Sequence, residues 1–149
     1  HGRSGRVRGP VTPDAFVKRG AEILAAQPFS RLLGVEIGAV APGRVELRLA
    51  MKPELLQQHG FAHGGVLSYL ADNALTFAGG TALASDALTS EYKINYLRPA
   101  VGELLIARAE AVNAGRTQAV CRCDVFAVKD GVEKLCAVAQ GTIVKLTQD

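Results

Sequence analysis

The sequence predicts one α+β domain in which an antiparallel sheet of about six strands wraps around a long central helix. Three observations carry this prediction. Strand-like runs follow one another with short connections, which is typical of an antiparallel sheet and not of a β-α-β layout. One segment, residues 64–79, is apolar on almost all sides, as expected of a helix that is covered all round. A length of 149 residues suits a single domain.

The predicted elements follow from start, stop and turn signals along the chain. Thr12 is expected to cap the first helix, with Pro13 in its first turn, and Gly34 to close a short second one. Gly79-Gly80 is expected to end the central helix. In order, we expect a helix, a helical turn, two strands, a polar loop, the central helix and four strands. Their predicted bounds are 13–27, 29–34, 35–41, 44–51, 52–63, 64–79, 88–98, 102–113, 117–128 and 133–146.

Two local patterns are especially clear. The strand over residues 44–51 alternates, with four apolar residues on one face and three charged residues on the other: Val45, Leu47, Leu49 and Met51 against Arg44, Glu46 and Arg48. This predicts a sheet with one covered and one wet face. Asp130-Gly131 between two strand-like runs predicts a tight hairpin.

Composition and charge exclude several classes of protein. With 48% hydrophobic and 21% charged residues, the chain is globular and not disordered or collagen-like. The net charge of +3 comes from Arg3, Arg6 and Arg8, and residues 13–149 carry equal numbers of acidic and basic groups. A neutral body does not predict a nucleic-acid partner. Residues 1–12 are interpreted as a flexible tail or a vector-derived remnant, and residues 13–149 as the domain.

Location is predicted from the cysteines and from the apolar segment. Cys121, Cys123 and Cys136 are odd in number and do not have the spacing of a zinc knuckle, so we interpret them as reduced core thiols in a cytoplasmic protein. The apolar stretch from Gly64 to Ser85 is interrupted by polar residues and glycines, which favours a buried helix over a membrane span.

His63-Gly64-Gly65 stands at the start of the predicted central helix. The first turn of a helix has unpaired N–H groups and a partial positive charge, and glycine lets a ligand approach the backbone closely. An oxygen that gains negative charge in a reaction would be stabilised there. The same glycines also suit a tight loop-to-helix turn. This feature alone therefore does not decide between an oxyanion-stabilising site and a purely structural turn.

Asp72 is the only charged residue between Gly64 and Ser85. An unpaired buried carboxylate is unfavourable. Asp72 is therefore predicted to lie at an exposed end of the helix, to pair with an arginine, or to take part in the chemistry of a site. Gly64 and Asp72 are eight residues apart, which is about 12 Å along one helix. One substrate carbonyl cannot touch both within one chain. Joint action therefore predicts an active site across a two-fold interface and at least a homodimer.

His59 and His63 are four residues apart, a spacing that can bind zinc. Gly60 interrupts the helical register that this spacing needs, and no third ligand is near in the sequence. We therefore predict no metal site, and no cofactor.

Gly60 stands three residues before His63-Gly64-Gly65, and Asp72 stands nine residues after His63. The stretch EYKINYLRPA follows at residues 91–100. In this spacing and this stretch, the chain resembles the hotdog-fold acyl-CoA thioesterases of the phenylacetate-degradation (PaaI-like) type over residues 29–146. That family has the same Gly, His-Gly-Gly and Asp with an Asn three residues before the Gly, and the stretch is similar to its third strand. The resemblance implies hydrolysis of acyl-CoA, with aryl-acyl-CoA among the candidate substrates, by a homodimer that pairs again into a homotetramer.

The resemblance also implies roles for individual residues. Asp72 would be the nucleophile or the general base, the Gly64 N–H would polarise the thioester carbonyl, and His63 would shape the loop or contact the thioester. Substrate binding would involve Gln57, Gly65 and Ser90. Gln57 stands where the family has asparagine, and Ser90 at a strand position that helps place the water in some members. The candidates for contacting the phosphates of coenzyme A are Lys93, Arg98, Arg116 and Arg122.

Two alternatives stay open. A non-catalytic acyl-CoA-binding or sensing module on the same fold is favoured by the Gln57 departure, although no helix-turn-helix precedes the domain. A hotdog dehydratase would need a hydratase pattern, which the sequence does not match.

Overall fold

The computed structural model describes residues 13–147. Three helices occur in this range: α1 (Pro13–Ala26), α2 (Pro28–Leu33) and α3 (Gly64–Leu83), with a short 3₁₀ turn at Pro53–Leu55. The strands are β1 (Glu36–Ala41), β2 (Arg44–Ala50), β3 (Ala87–Tyr96), β4 (Leu104–Ala114), β5 (Gln118–Lys129) and β6 (Val132–Lys145). The predicted order of elements is confirmed. The tail over residues 1–12 and the Thr12 cap lie outside the described residues.

The six strands form one sheet in the order β1-β2-β4-β5-β6-β3, and every neighbouring pair is antiparallel. Helix α3 packs against strands β2 to β6, and α1 packs against β1. The predicted α+β architecture, an antiparallel sheet around a central helix, is therefore confirmed. Among the described residues, no helix is both long enough and apolar enough to cross a membrane.

Strand β2 shows why the sheet closes around the helix. Val45, Leu47 and Leu49 are at most 4% exposed and point into the core, while Arg44 and Arg48 are exposed on the opposite face. A period of two along a strand places its apolar set on one side, and burying that set against α3 is the main favourable term in folding. The alternation predicted from the sequence is confirmed.

The prediction that α3 ends at Gly79-Gly80 is wrong. The helix continues to Leu83 and ends at Ala84, whose backbone is left-handed with φ 50°. Gly79 serves close packing, because a Cβ atom placed there would stand 2.5 Å from the Cβ of Ile143 on β6. Glycine weakens a helix interior, but here it lets the helix approach the sheet.

The hairpin between β5 and β6 follows the prediction. Asp130 and Gly131 have φ of 51° and 78°, as the two central residues of a mirror-image hairpin turn require. The three cysteines, Cys121, Cys123 and Cys136, are buried and free, as interpreted from their spacing. Burial raises the pKa of the Cys121 thiol to about 11.

Candidate active site

Asp72 lies in the middle of α3 and is the only charged residue in that helix. Its neighbours Leu70 and Ala71 are fully buried, whereas Asp72 itself is half-buried. Its Oδ1 atom accepts a hydrogen bond of 2.6 Å from the Thr89 hydroxyl on β3. No lysine, arginine or histidine between residues 13 and 147 forms a salt bridge with it. The carboxylate is thus neither at an exposed helix end nor paired with an arginine.

A second hydroxyl supports this arrangement. The Thr76 Oγ1 atom, one helical turn after Asp72, donates to the Asp72 backbone carbonyl over 2.9 Å. It also lies 2.7 Å from the Thr89 Oγ1 atom. Thr89 therefore holds one carboxylate oxygen of Asp72 from the sheet side, and Thr76 on α3 lies against the Thr89 hydroxyl. The second carboxylate oxygen of Asp72, Oδ2, has no hydrogen-bond partner within the described part of the chain, so it is free to contact a substrate or a water molecule.

Thr89 takes the place that the sequence suggested for Ser90. Tyr92 and Ile94 face α3, and simple alternation along β3 would turn Ser90 to the same side. A β-bulge between Thr89 and Glu91 interrupts the alternation, so Thr89 points inward and Ser90 is exposed. The structure therefore brings Thr89, and not Ser90, against Asp72. Nothing in the local sequence signals the bulge that decides between the two.

The backbone N–H of Gly64, which the sequence predicts as the donor to a thioester carbonyl, lies at the start of α3. His63 caps the helix in an extended conformation (φ −61°, ψ 135°), and its Nδ1 atom accepts a 2.8 Å hydrogen bond from the Gly65 N–H. The next two amide groups, of Val66 and Leu67, donate to the His63 carbonyl. The Gly64 N–H belongs to the first residue of α3, so the helix contains no carbonyl that could accept from it. No hydrogen bond from this N–H occurs within residues 13–147. Of the two glycines, only Gly64 therefore offers a free N–H.

Sequence reasoning missed Tyr96, which covers the start of α3. The Tyr96 hydroxyl donates to the Gly64 carbonyl over 3.0 Å. A Cβ atom at position 64 would stand 3.4 Å from the tyrosine ring. Tyr96 thus fixes the first peptide of the helix from one side. Its place in the strand after α3 was the only available signal, and strand tyrosines are too common to single one out.

Gln57 is engaged inside its own loop. Its Oε1 atom accepts hydrogen bonds from the backbone N–H groups of His59 (2.5 Å) and Phe61 (3.4 Å). The Gln57 N–H in turn donates to the Phe61 carbonyl over 2.8 Å. The carboxamide oxygen therefore shapes the loop that leads to α3. Only the Nε2 group of Gln57 is left to contact another molecule.

The two ends of the site are separated within one chain. Helix α3 is continuous from Gly64 to Asp72, so eight residues at 1.5 Å each separate them by about 12 Å along the axis. The predicted separation is therefore confirmed. Among the described residues, no group of three histidine, cysteine or carboxylate side chains is arranged to hold a metal ion.

Comparison with known proteins agrees with this fold and these elements. Residues 59–134, which include the α3 start and Asp72, match the model of the thioesterase superfamily. The human protein named acyl-coenzyme A thioesterase 13 is 30% identical over 103 residues, which cover 67% of this chain and 74% of the human protein.

Two solved structures are similar over most of this chain. A thioesterase family protein from Silicibacter pomeroyi is 37% identical, with a TM-score of 0.81 over 87% of this chain and 96% of its own. A variant of the phenylacetic acid degradation protein PaaI from Thermus thermophilus is 35% identical, with a TM-score of 0.70 over 80% of this chain and 100% of its own. On the match of the family model and of these relatives, the chain belongs to the thioesterase superfamily and has its hotdog fold.

Proposed function

We propose that this protein hydrolyses acyl-CoA thioesters to a free acid and coenzyme A. The observation that carries the proposal is Asp72, a carboxylate held by the Thr89 hydroxyl in an otherwise uncharged helix and without a cationic partner among residues 13–147. Family membership supports thioester hydrolysis as the reaction class. The human relative's name supports a coenzyme A thioester, and that of the PaaI relative supports aryl-acyl groups among the candidates.

The active form is at least a homodimer. Because about 12 Å of helix separates Gly64 from Asp72, one thioester carbonyl cannot reach both in one chain. A two-fold axis that sets two α3 helices antiparallel would bring Gly64 of one protomer to Asp72 of the partner subunit. Each dimer would then hold two equivalent sites. Pairing of dimers into a homotetramer extends this proposal.

The reaction needs one base or nucleophile and one oxyanion donor. In the base form, Asp72 takes a proton from water while the water oxygen bonds to the carbonyl carbon. The Gly64 N–H stabilises the resulting oxyanion, an interaction worth about 3–4 kcal/mol for a well-placed donor. The C–S bond then breaks, and the leaving thiolate takes up the proton. In the nucleophile form, Asp72 bonds to the carbonyl carbon, the C–S bond breaks, and the thiolate leaves a mixed anhydride behind. Water then hydrolyses the anhydride, which frees the acid and the Asp72 carboxylate, and the proton that this step releases goes to the thiolate.

The remaining residues act on the geometry of this site. His63 holds the Gly65 N–H, which leaves Gly64 as the donor nearest to the substrate. The Gln57 Nε2 group is placed at the loop before α3, where it can donate to the carbonyl or to the water. Thr89, and not the predicted Ser90, is the residue of β3 that contacts Asp72, and it orients the carboxylate.

A non-catalytic acyl-CoA-binding module is the second candidate. It is favoured by Gln57, whose carboxamide oxygen is occupied by the loop backbone and cannot position water. It predicts acyl-CoA binding without thiol release.

Thiol release from short-chain, medium-chain, long-chain and phenylacetyl-CoA tests both candidates. For the substrate that the parent hydrolyses best, we expect Asp72→Asn to lower kcat by about 10²- to 10⁴-fold, the usual worth of a positioned base. The control is Asp86→Asn, an exposed carboxylate before β3, which should keep the parent rate. Unchanged turnover in Asp72→Asn would overturn the assigned role. Binding without release in the parent would favour the second candidate, and Gln57→Asn would then be tested for gain of hydrolysis.

A further inference from the structure

One face of helix α3 is left open by the sheet. Between Gly65 and Thr76, the positions that are not buried recur every three or four residues, and those between them are buried against the sheet. The open positions are Gly65, Ser68, Tyr69, Asp72, Asn73 and Thr76. Because this face carries the proposed catalytic carboxylate, it is the face on which the partner helix of the proposed dimer packs.

On this face, a chain of hydrogen bonds fixes the orientation of the Asn73 carboxamide. Ser30 of α2, which is 1% exposed, donates to the Gln27 Oε1 atom over 2.5 Å. Because a serine hydroxyl has one hydrogen, the Tyr69 hydroxyl must donate to the Ser30 oxygen in their 2.5 Å contact. Tyr69 in turn accepts from the Asn73 Nδ2 group over 3.2 Å. The Asn73 Oδ1 atom therefore points away from Tyr69, and no donor within residues 13–147 contacts it.

The tyrosine in this chain is held from two sides. Burial raises the pKa of the Tyr69 hydroxyl, so the hydroxyl is protonated and able to donate at neutral pH. The Phe29 ring of α2 packs edge-on against the Tyr69 ring, with 5.1 Å between the ring centroids. Polar and aromatic contacts thus fix Tyr69 against α2, and Tyr69 fixes one side of Asn73.

His63, directly before α3, offers a donor that complements the Asn73 oxygen. Its Nδ1 atom accepts from the Gly65 N–H over 2.8 Å. A neutral imidazole that accepts at one ring nitrogen carries its hydrogen on the other, so His63 has an Nε2–H. His63 is exposed, and no acceptor within the described part of the chain contacts this N–H. An unused donor and an unused acceptor therefore lie at the two ends of the candidate site.

Within one chain these two groups cannot meet. Asn73 stands ten residues after His63, which is about 15 Å along the helix axis. In the proposed dimer the α3 helices are antiparallel, so a step back along one helix is matched by a step forward along the other. A register that sets Gly64 against Asp72 of the partner subunit therefore also sets His63 against the partner's Asn73.

We propose that the Asn73 Oδ1 atom accepts a hydrogen bond from the Nε2–H of the partner's His63, which makes Asn73 a positioning residue of the shared site. This inference rests on the proposed function, since it takes the antiparallel dimer that joins Gly64 to Asp72. The contact holds the imidazole in the tautomer and orientation that engage the Gly65 N–H. It thereby keeps the free Gly64 N–H at a fixed distance from the partner's Asp72.

Kinetics with the best acyl-CoA substrate test this contact. We expect Asn73→Ala to lower kcat by about three- to tenfold, as for one lost neutral hydrogen bond, and to leave KM nearly unchanged. Tyr69→Phe, which frees the carboxamide but keeps its oxygen, should lower kcat less. On a His63→Ala background, Asn73→Ala should lower kcat no further, because the donor is already gone. Asn113→Ala, which changes an exposed asparagine near the end of β4, is the control and should match the parent.

A role that only ties α2 to α3 makes different predictions. Tyr69→Phe would then cost at least as much as Asn73→Ala, because Tyr69 bonds to both Ser30 and Asn73. The Asn73→Ala loss would also be the same with and without the His63 side chain. Either result would overturn the proposal.

Cross-linking reads the register without any need for turnover. A short bis-maleimide should join two chains of His63→Cys/Asn73→Cys into a covalent dimer on a denaturing gel, because these two positions are close only across the interface. His63→Cys/Asn113→Cys is the matched control and should not be cross-linked. The three native cysteines are buried, so they should not compete for the reagent.

The two experiments separate this inference from the proposed function. Cross-linking of the first variant alone, together with the non-additive kinetics, would support the contact, and the absence of a cross-link would overturn it. If the parent hydrolyses acyl-CoA and no cross-link forms, the contact fails while the proposed function stands. If the cross-link forms and the parent hydrolyses no thioester, the proposed function fails while the register stands.

Discussion

Thr89 offers the sharpest test of the site, because it contacts Asp72 in the structure, whereas the sequence pointed to its neighbour Ser90 as the strand residue of the site. The Thr89 hydroxyl donates to the Asp72 Oδ1 atom over 2.6 Å. Thr89→Val keeps the shape of the side chain and removes the donor. The carboxylate then loses the hydrogen bond that orients it from the sheet side. We expect kcat for thioester hydrolysis to fall while KM changes little.

The size of the effect follows from the kind of bond that is lost. A hydrogen bond to a charged group contributes about 1.5–3 kcal/mol, which corresponds to about 10- to 150-fold in rate. Asp72 is half-buried, so water can replace part of the lost contact. We therefore expect the lower end of this range, about tenfold. Valine fills the same volume, so any loss in the free energy of unfolding comes from the lost hydroxyl contacts with Asp72 and Thr76 and not from a cavity.

The assay is thiol release with the best acyl-CoA substrate, after circular dichroism has shown that each variant is folded. Thr89→Ser, which retains a hydroxyl, should recover most of the rate. Ser90→Ala should match the parent, because Ser90 is exposed at the bulge. Parental kcat in Thr89→Val would refute the reasoning, and so would an equal loss in Ser90→Ala.

Three further predictions concern the dimer, the helix packing and the buried thiols. Gly64→Pro removes the N–H at the first helical position, where proline is tolerated, and should abolish turnover while Gly64→Ala retains part of it. Co-expression of Gly64→Pro with Asp72→Asn should restore activity through mixed dimers, and no restoration would contradict the shared site. Gly79→Ala should lower the free energy of unfolding in urea by about 1–3 kcal/mol, because the added methyl group overpacks the helix against the sheet. Gly115→Ala should cause no such loss, because its added Cβ meets nothing closer than 3.6 Å. Burial raises the pKa of Cys121 to about 11, so its thiolate fraction is small below that pH and grows as the pH rises. Iodoacetamide should therefore leave Cys121 unmodified at pH 8 in the folded protein. Labelling of Cys121 detected at pH 8 by mass spectrometry would contradict this.

Much of the fold was readable from the sequence because its signals are local. The period-two pattern of β2, the Asp130-Gly131 turn and the apolar character of α3 each depend on residues within one element. The two ends of the candidate site were local too. Asp72 stands out as a single charge in an apolar helix, and His63-Gly64-Gly65 as a glycine-rich helix start. Their separation followed from helix geometry alone.

Contacts between distant segments decided the rest. Gly79 reads as a helix end, but Ile143, which lies 64 residues further along the chain, makes glycine necessary inside the helix. The resemblance pointed to Ser90, and only the pairing with β6 shows the bulge that turns Thr89 toward Asp72. In both cases the deciding atoms belong to strand β6.

The cavity lined by Phe61, Arg98, Lys129 and Lys134 shows the same division between sequence and structure. Arg98, Lys129 and Lys134 are unremarkable surface cations when read along the chain, and the sequence favoured Arg98 no more than Lys93. The β5–β6 hairpin and the β3–β4 connection bring them to one rim beside Phe61. A sequence determines which side chains carry charge and which local structures they prefer. Only the packing of the sheet around α3 determines which charges lie together, because electrostatic attraction of a ligand depends on distances in space and not on separation along the chain.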